Sequence, residues 1–169
     1  MTNEFILALD PSGAYSEGKG TTGWTLMNSR AGRFHEIGKI SALGYKSDVE
    51  YWRAHLDLIE EMVRQYQLIL LVEDYLLYAH KAEEQINSRF ETSQLIGVIK
   101  YYAYRKNIPL YLQRAAEVKT RWNNTILLRK GILKQHGRHL YLPDCDVEVS
   151  KHELDAIRHA MHYHTFYNK

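Results

Sequence analysis

The sequence predicts one α/β domain, residues 1–169, in which helices pack against a mixed β-sheet. Three observations predict it. Short apolar runs, Phe5 to Leu9 and Leu68 to Val72, end abruptly on acids, as buried strands do where a sheet meets solvent. Segments with helical periodicity alternate with them. A length of 169 residues, 45% hydrophobic and 25% charged, is the size and balance of a single domain whose core needs no covalent staples. The one cysteine, Cys145, excludes a disulfide framework and a zinc site built from several thiolates. Leu68 to Val72 is the longest aliphatic run and is far too short to span a membrane. The opening MTNEFILALD has neither a basic leader nor a long apolar segment, so a cytoplasmic protein is expected.

The elements follow in order. Phe5 to Leu9 is the first strand, closed by the turn residues Asp10-Pro11-Ser12-Gly13. Thr21 to Met27 and Arg33 to Ile40 are the next two, joined by a hairpin loop over Asn28 to Gly32. Ser47 with Glu50 is a capping-box pair, and Trp52, Leu56, Ile59, Met62 and Val63 keep helical spacing behind it. Leu68 to Val72 is apolar on both faces, which predicts a central strand. A long helix is predicted from about Lys81 to Lys106. Its second half, Leu95 to Tyr104, is apolar nearly all round and calls for two neighbours: the sheet, and either a second subunit or another helix layer. Beyond Pro109, Leu110 to Leu112 is a short strand, and helices are predicted over Ala115–Trp122 and Thr125–Gln135. Ser150 with Glu153 is a second capping box, opening a final helix to about Tyr167. Five strands in the order β-β-β-α-β-α-β, followed by helices, make a mixed sheet.

Charge is unevenly spread. From Lys100 to Arg138 there are ten Lys or Arg and one acid, Glu117, whereas the other 130 residues hold twelve basic and nineteen acidic groups. With Tyr101, Tyr102, Tyr104, Tyr111 and Trp122 in or beside it, this segment predicts a polyanionic partner. Solvated helix faces are the plainer explanation.

Two acids interrupt apolar strands alike: Asp10 ends the first and Glu73 the fourth. A carboxylate beside a buried strand is costly unless it is paired or binds a cation, and adjacent strands can bring two such groups together. Otherwise Asp10 holds its turn through its side chain and Glu73 is a strand end reaching solvent. In Lys151-His152-Glu153-Leu154-Asp155, His152 and Asp155 are three apart and share a helical face beside the apolar stripe of Leu154, Ile157 and Met161. An exposed acid favoured by the helix dipole is the alternative for Asp155, and Glu153 is assigned to the cap. His159 and His162 continue the same face and are expected as hydrogen-bonded or solvated histidines before metal ligands.

Together, LALDPSG with Asp10, LLVED with Glu73, HELDAIRHA with His152 and Asp155, and Ala115-Ala116-Glu117-Val118-Lys119 resemble the RuvC family of Holliday-junction resolvases over almost the whole chain. The resemblance implies a ribonuclease H-like fold, a homodimer, and magnesium-dependent cutting of four-way DNA junctions in branched DNA. It implies that Asp10 bridges two ions, with manganese able to replace magnesium. Glu73 would hold one ion, and His152 with Asp155 would hold or orient the other. Lys119 would neutralise charge at the scissile phosphate. Arg114, Lys119, Arg121, Arg129, Lys130 and Lys134 would contact DNA, and Tyr75 or Tyr78 would stack on an unpaired base. Ala14 to Gly20 are additional before Thr22-Gly23, and Leu76 stands where the family has an aromatic residue. These departures imply a divergent member, of the kind a bacteriophage would encode in its bacterial host. Three rivals share parts of the pattern: an ATPase or sugar kinase, a non-cleaving junction-binding dimer, and a ribonuclease H-like nuclease acting on hybrids or flaps.

Overall fold

The computed structural model describes residues 4–74 and 90–167. Strands β1 (Glu4–Asp10), β2 (Thr21–Asn28) and β3 (Arg33–Ser41) pair antiparallel in sequence order. The Asn28 carboxamide oxygen accepts from the backbone of Arg30 and Ala31 and shapes the expected hairpin turn. Helix α1 (Asp48–Gln65) leads into β4 (Gln67–Asp74), which lies parallel to β1, and α2 (Glu91–Arg105) leads into β5 (Leu110–Arg114), parallel to β4. The sheet order is β3-β2-β1-β4-β5, with β1 in the middle and β4 beside it between two parallel neighbours, and helices cover both faces, which is why these two strands are apolar on both faces.

Strand alternation divides the core in two. Phe5, Leu7 and Leu9 of β1, with Leu68, Leu70 and Val72 of β4, meet Ile59 and Met62 of α1 and Leu95, Ile99 and Ala103 of α2. Ile6 and Ala8, with Ile69 and Leu71, face the other way and meet Leu154, Ile157, Ala160 and Met161 of α5 (Lys151–Phe166). Between β5 and α5 lie α3 (Ala115–Arg121), α4 (Asn124–Arg129) and a small antiparallel sheet of β6 (Lys134–His136), β7 (His139–Leu142) and β8 (Val147–Glu148).

The structure corrects three expectations. The helix expected over Thr125–Gln135 stops at Arg129, because Gly131 takes a left-handed φ of 72° and the chain turns into β6. The small sheet was not foreseen, since its strands are only two to four residues long and largely exposed. The helix expected over Lys81 to Lys106 is interrupted at Phe90, left-handed with φ 52°, and runs from Glu91 to Arg105, while residues 81–89 lie outside the described residues. That helix buries one face against the sheet and packs beside α1, while Tyr101 and Tyr104 stay exposed on the other side. The second neighbour inside the chain is therefore a helix.

Candidate active site

Alternation and register assemble the site. Asp10 has the parity of Ile6 and Ala8, and Glu73 that of Ile69 and Leu71, so both carboxylates face α5. The β1–β4 register pairs Leu9 with Val72, which sets Asp10 and Glu73 side by side where both strands end. Gln113 of β5 is the register partner of Glu73 on its other side. Asp10 is free for this because other groups hold its loop. Ser12 N–H donates to Thr22 Oγ1 at 3.1 Å, Gly13 N–H to Thr92 Oγ1 at 3.0 Å, and the buried Tyr51 hydroxyl to the Ser12 carbonyl at 2.7 Å. Thr22 lies 2.7 Å from His55 Nε2, whose Nδ1 lies 2.8 Å from the Tyr51 carbonyl. Burial holds His55 down at about 4, hence neutral, which makes Nδ1 the donor and Nε2 the acceptor.

Helix α5 supplies the third side. Gly23, register partner of Asp10, lies directly under the first turn of α5; a Cβ there would overlap the carbonyl of His152. The absent side chain lets the helix start descend onto the sheet. Glu153 caps that start, accepting from Ser150 N–H at 2.8 Å. Asp155 is thereby brought beside the two strand acids, 5% exposed and beside the core as its spacing predicts. His152 stays at the rim, its Nδ1 3.9 Å from Asp10 Oδ2.

Cations fill the space between the acids. Lys119 Nζ on α3 lies 3.1 Å from Asp155 Oδ2 and 3.4 Å from Glu73 Oε2. Arg158 donates to Asp155 Oδ1 at 2.6 Å. His159, with no exposed surface, sits 2.8 Å from Glu73 Oε2 through Nε2 and 2.8 Å from Gln113 Oε1 through Nδ1. Burial alone would raise the Glu73 carboxyl, but the His159 hydrogen bond and charge, with the Lys119 ammonium, outweigh it and hold Glu73 low. For Asp10 the Lys119 ammonium offsets only part of the cost: burial first, then Glu73 and Asp155, push it up to about 8. Lys119 loses from burial and gains more from Glu73 and Asp155, so its ammonium is held protonated.

Of the residues singled out in the sequence, Asp10, Glu73, Lys119, His152 and Asp155 thus come together. Arg121 on α3, Arg129 ending α4 and Lys130 beside it gather around one cleft. Arg114 ends β5, opposite Asp74, and Lys134 begins β6. Tyr75 and Tyr78 lie outside the described residues. Sequence reasoning missed Arg158, Gln113 and the contact that His159 makes with Glu73. The i+3 and i+4 spacing of Arg158 and His159 from Asp155 was the available signal. Among the described residues, no three His, Cys, Asp or Glu side chains are placed so that together they could hold a metal ion. The Lys119 ammonium lies between Glu73 and Asp155, and the Arg158 guanidinium takes the other oxygen of Asp155.

No family model matches the chain, and no curated protein matches it by sequence. Solved structures do match. Thermus thermophilus RuvC in complex with a Holliday junction substrate superposes with TM-score 0.65 at 16% identity, covering 98% of this chain and 97% of that one. A second Thermus thermophilus RuvC structure superposes with TM-score 0.62 at 14% identity, covering 93% and 91%. The chain therefore has the ribonuclease H-like fold of RuvC, a five-stranded mixed sheet with helices on both faces.

Proposed function

We propose that this chain is a RuvC-type endonuclease, a homodimer that resolves Holliday junctions and other branched DNA by metal-dependent phosphodiester hydrolysis. One observation carries the reading: three carboxylates from β1, β4 and α5 meet at a sheet edge, beside a lysine held between two of them. The superposition on a RuvC bound to a junction supports the substrate class.

The donor set fits a hard divalent cation. Carboxylate oxygens suit magnesium, Asp10 holds a proton, kept there by burial and two neighbouring acids, that a divalent cation would displace, and an ammonium already stands in as a cation between Glu73 and Asp155. Asp10, Glu73 and Asp155 would hold the metal, with His152 at the rim, where manganese suits an imidazole better than magnesium does. Two such ions would supply an activated water and neutralise charge at phosphorus. Lys119, moved off the acids as the metal enters, would turn its ammonium to the phosphate. His159 and Arg158 would keep Glu73 and Asp155 in their orientations. Arg114, Arg121, Arg129, Lys130 and Lys134 would hold flanking phosphates, so neutralising several of them should flatten the salt dependence of binding.

A denaturing gel tests the reading with a four-way junction, a fork, plain duplex and an RNA–DNA hybrid, each with magnesium and with chelator. Paired symmetric nicks in the junction are expected, lost in chelator and reduced at least about a hundredfold by Asp10→Asn, with binding retained. Cleavage of the hybrid alone would instead make the chain a ribonuclease H-like hybrid nuclease. Tight junction binding with no cut in any substrate would make it a non-cleaving junction binder.

A further inference from the structure

A cleft of about 330 Å³ opens between α3, α4 and the end of α5. Trp122, Ile126 and Phe166 wall it, and Arg121, Arg129 and Lys130 rim it. The Arg121 guanidinium carbon lies 4.9 Å from the centre of the Phe166 ring, and Lys130 Nζ lies 5.9 Å from that of Trp122. Glu117 pairs with Arg121 only at 4.0 Å, so the rim keeps its positive charge. Trp122 is 4% exposed, and among the described residues its indole Nε1–H has no hydrogen-bond partner. The Trp122 ring lines the cleft while its N–H is turned into the protein, so the cleft offers aromatic surface under a basic rim.

We infer that this cleft is a nucleotide subsite that takes one unpaired base of a single-stranded DNA segment. The base stacks between the aromatic and aliphatic walls, and its phosphates lie against Arg121, Arg129 and Lys130. The inference rests on the nuclease reading only for the identity of the strand. One backbone path and one hydrogen-bonded path tie the cleft to the acidic cluster. Helix α3 carries Lys119 at the acids and Arg121 at the cleft. Arg158 donates from Nε to the Trp122 carbonyl at 3.0 Å and from Nη1 to Asp155 at 2.6 Å. A strand held at the acids would run past the cleft, whose aromatic walls charge alone does not account for.

Fluorescence polarisation in chelator tests this with labelled duplexes that carry a single-stranded thymidine tail, the same tail with abasic sugars, or no tail. The thymidine tail is expected to bind at least about fivefold tighter than the abasic one. Phe166→Ala, at a half-exposed helix end where folding is not at stake, should bring that ratio towards one, and Trp122→Phe, which trims the indole to a single ring, should lower it as well. Equal affinity for thymidine and abasic tails in the wild-type protein, or an undiminished ratio in Phe166→Ala, would overturn the subsite. Binding of thymidine monophosphate without any gain from the tail would assign the cleft to free nucleotides and overturn it too. Junction cleavage with no base preference sinks the subsite alone, and a base preference without cleavage of any substrate sinks the nuclease reading alone.

Discussion

Asp10 gives the acidic cluster a signature that stability measurements can read without any substrate. Its side chain is 16% exposed, and its carboxyl is pushed from 3.8 to about 8, first by burial and then by Glu73 and Asp155. The folded protein therefore keeps a proton that the unfolded chain releases above about pH 4. Stability is fully present at low pH and is lost as pH rises towards about 8. A shift of about four units sets a ceiling of about 6 kcal/mol. Water at the exposed edge and the mobile Lys119 ammonium screen the ionised form, which brings the expected effect to about 2–4 kcal/mol. Asp10→Asn puts a neutral amide in the same volume. In chelator near pH 5 it should match the wild-type protein to within about 1 kcal/mol. Near pH 8.5 it should be the more stable protein, with a Tm roughly 5–10 °C higher. Magnesium should then raise the wild-type Tm and leave that of Asp10→Asn nearly unmoved. Urea and thermal melts at the two pH values decide it. A variant less stable near pH 8.5, or a difference that ignores pH, would refute the electrostatic account of the cluster.

Three other outcomes are expected. Gly23→Ala should cost about 3 kcal/mol or more, because the new methyl meets backbone at His152 and α5 cannot yield without leaving the sheet; a urea midpoint within error of the wild type would contradict it. His55, held at about 4 against an ordinary 6.5, contributes stability that is present above about pH 6.5 and is lost as pH falls through about 4, a span worth about 3 kcal/mol. The stability difference between wild type and His55→Gln should shrink over that range, and a constant difference would rule the idea out. His159→Ala should release Glu73 and weaken magnesium or manganese binding about 10–100-fold by calorimetry, beyond what the loss of packing does to Tm; unchanged metal affinity would show that Glu73 orients itself.

Legibility from the sequence followed the range of the forces involved. The apolar runs at Phe5 to Leu9 and Leu68 to Val72 read as strands because burial on both faces needs apolar side chains at every position. The Ser150/Glu153 cap read as a helix start because capping is completed within one turn. The strands of the small sheet were not legible. With two to four mostly exposed residues each, they carry no hydrophobic period, and only Leu142 of β7 reaches full burial. Thr125 to Gln135 read as one helix because the left-handed turn at Gly131 leaves no trace in apolar spacing.

The acids of the site were visible one by one, since an ionisable group ending an apolar run is conspicuous wherever the chain goes next. By itself the sequence determined the strands of the main sheet, the capped helices and the acids at their ends, because these depend on periodicity and caps within a few residues. Only the tertiary structure decided that Asp10 and Glu73 stand side by side, that Lys119 and Arg158 divide Asp155 between them, and that His159 reaches Glu73. Those contacts join residues up to 86 apart in the chain. They depend on strand register and on a helix lowered over Gly23, which no local pattern encodes.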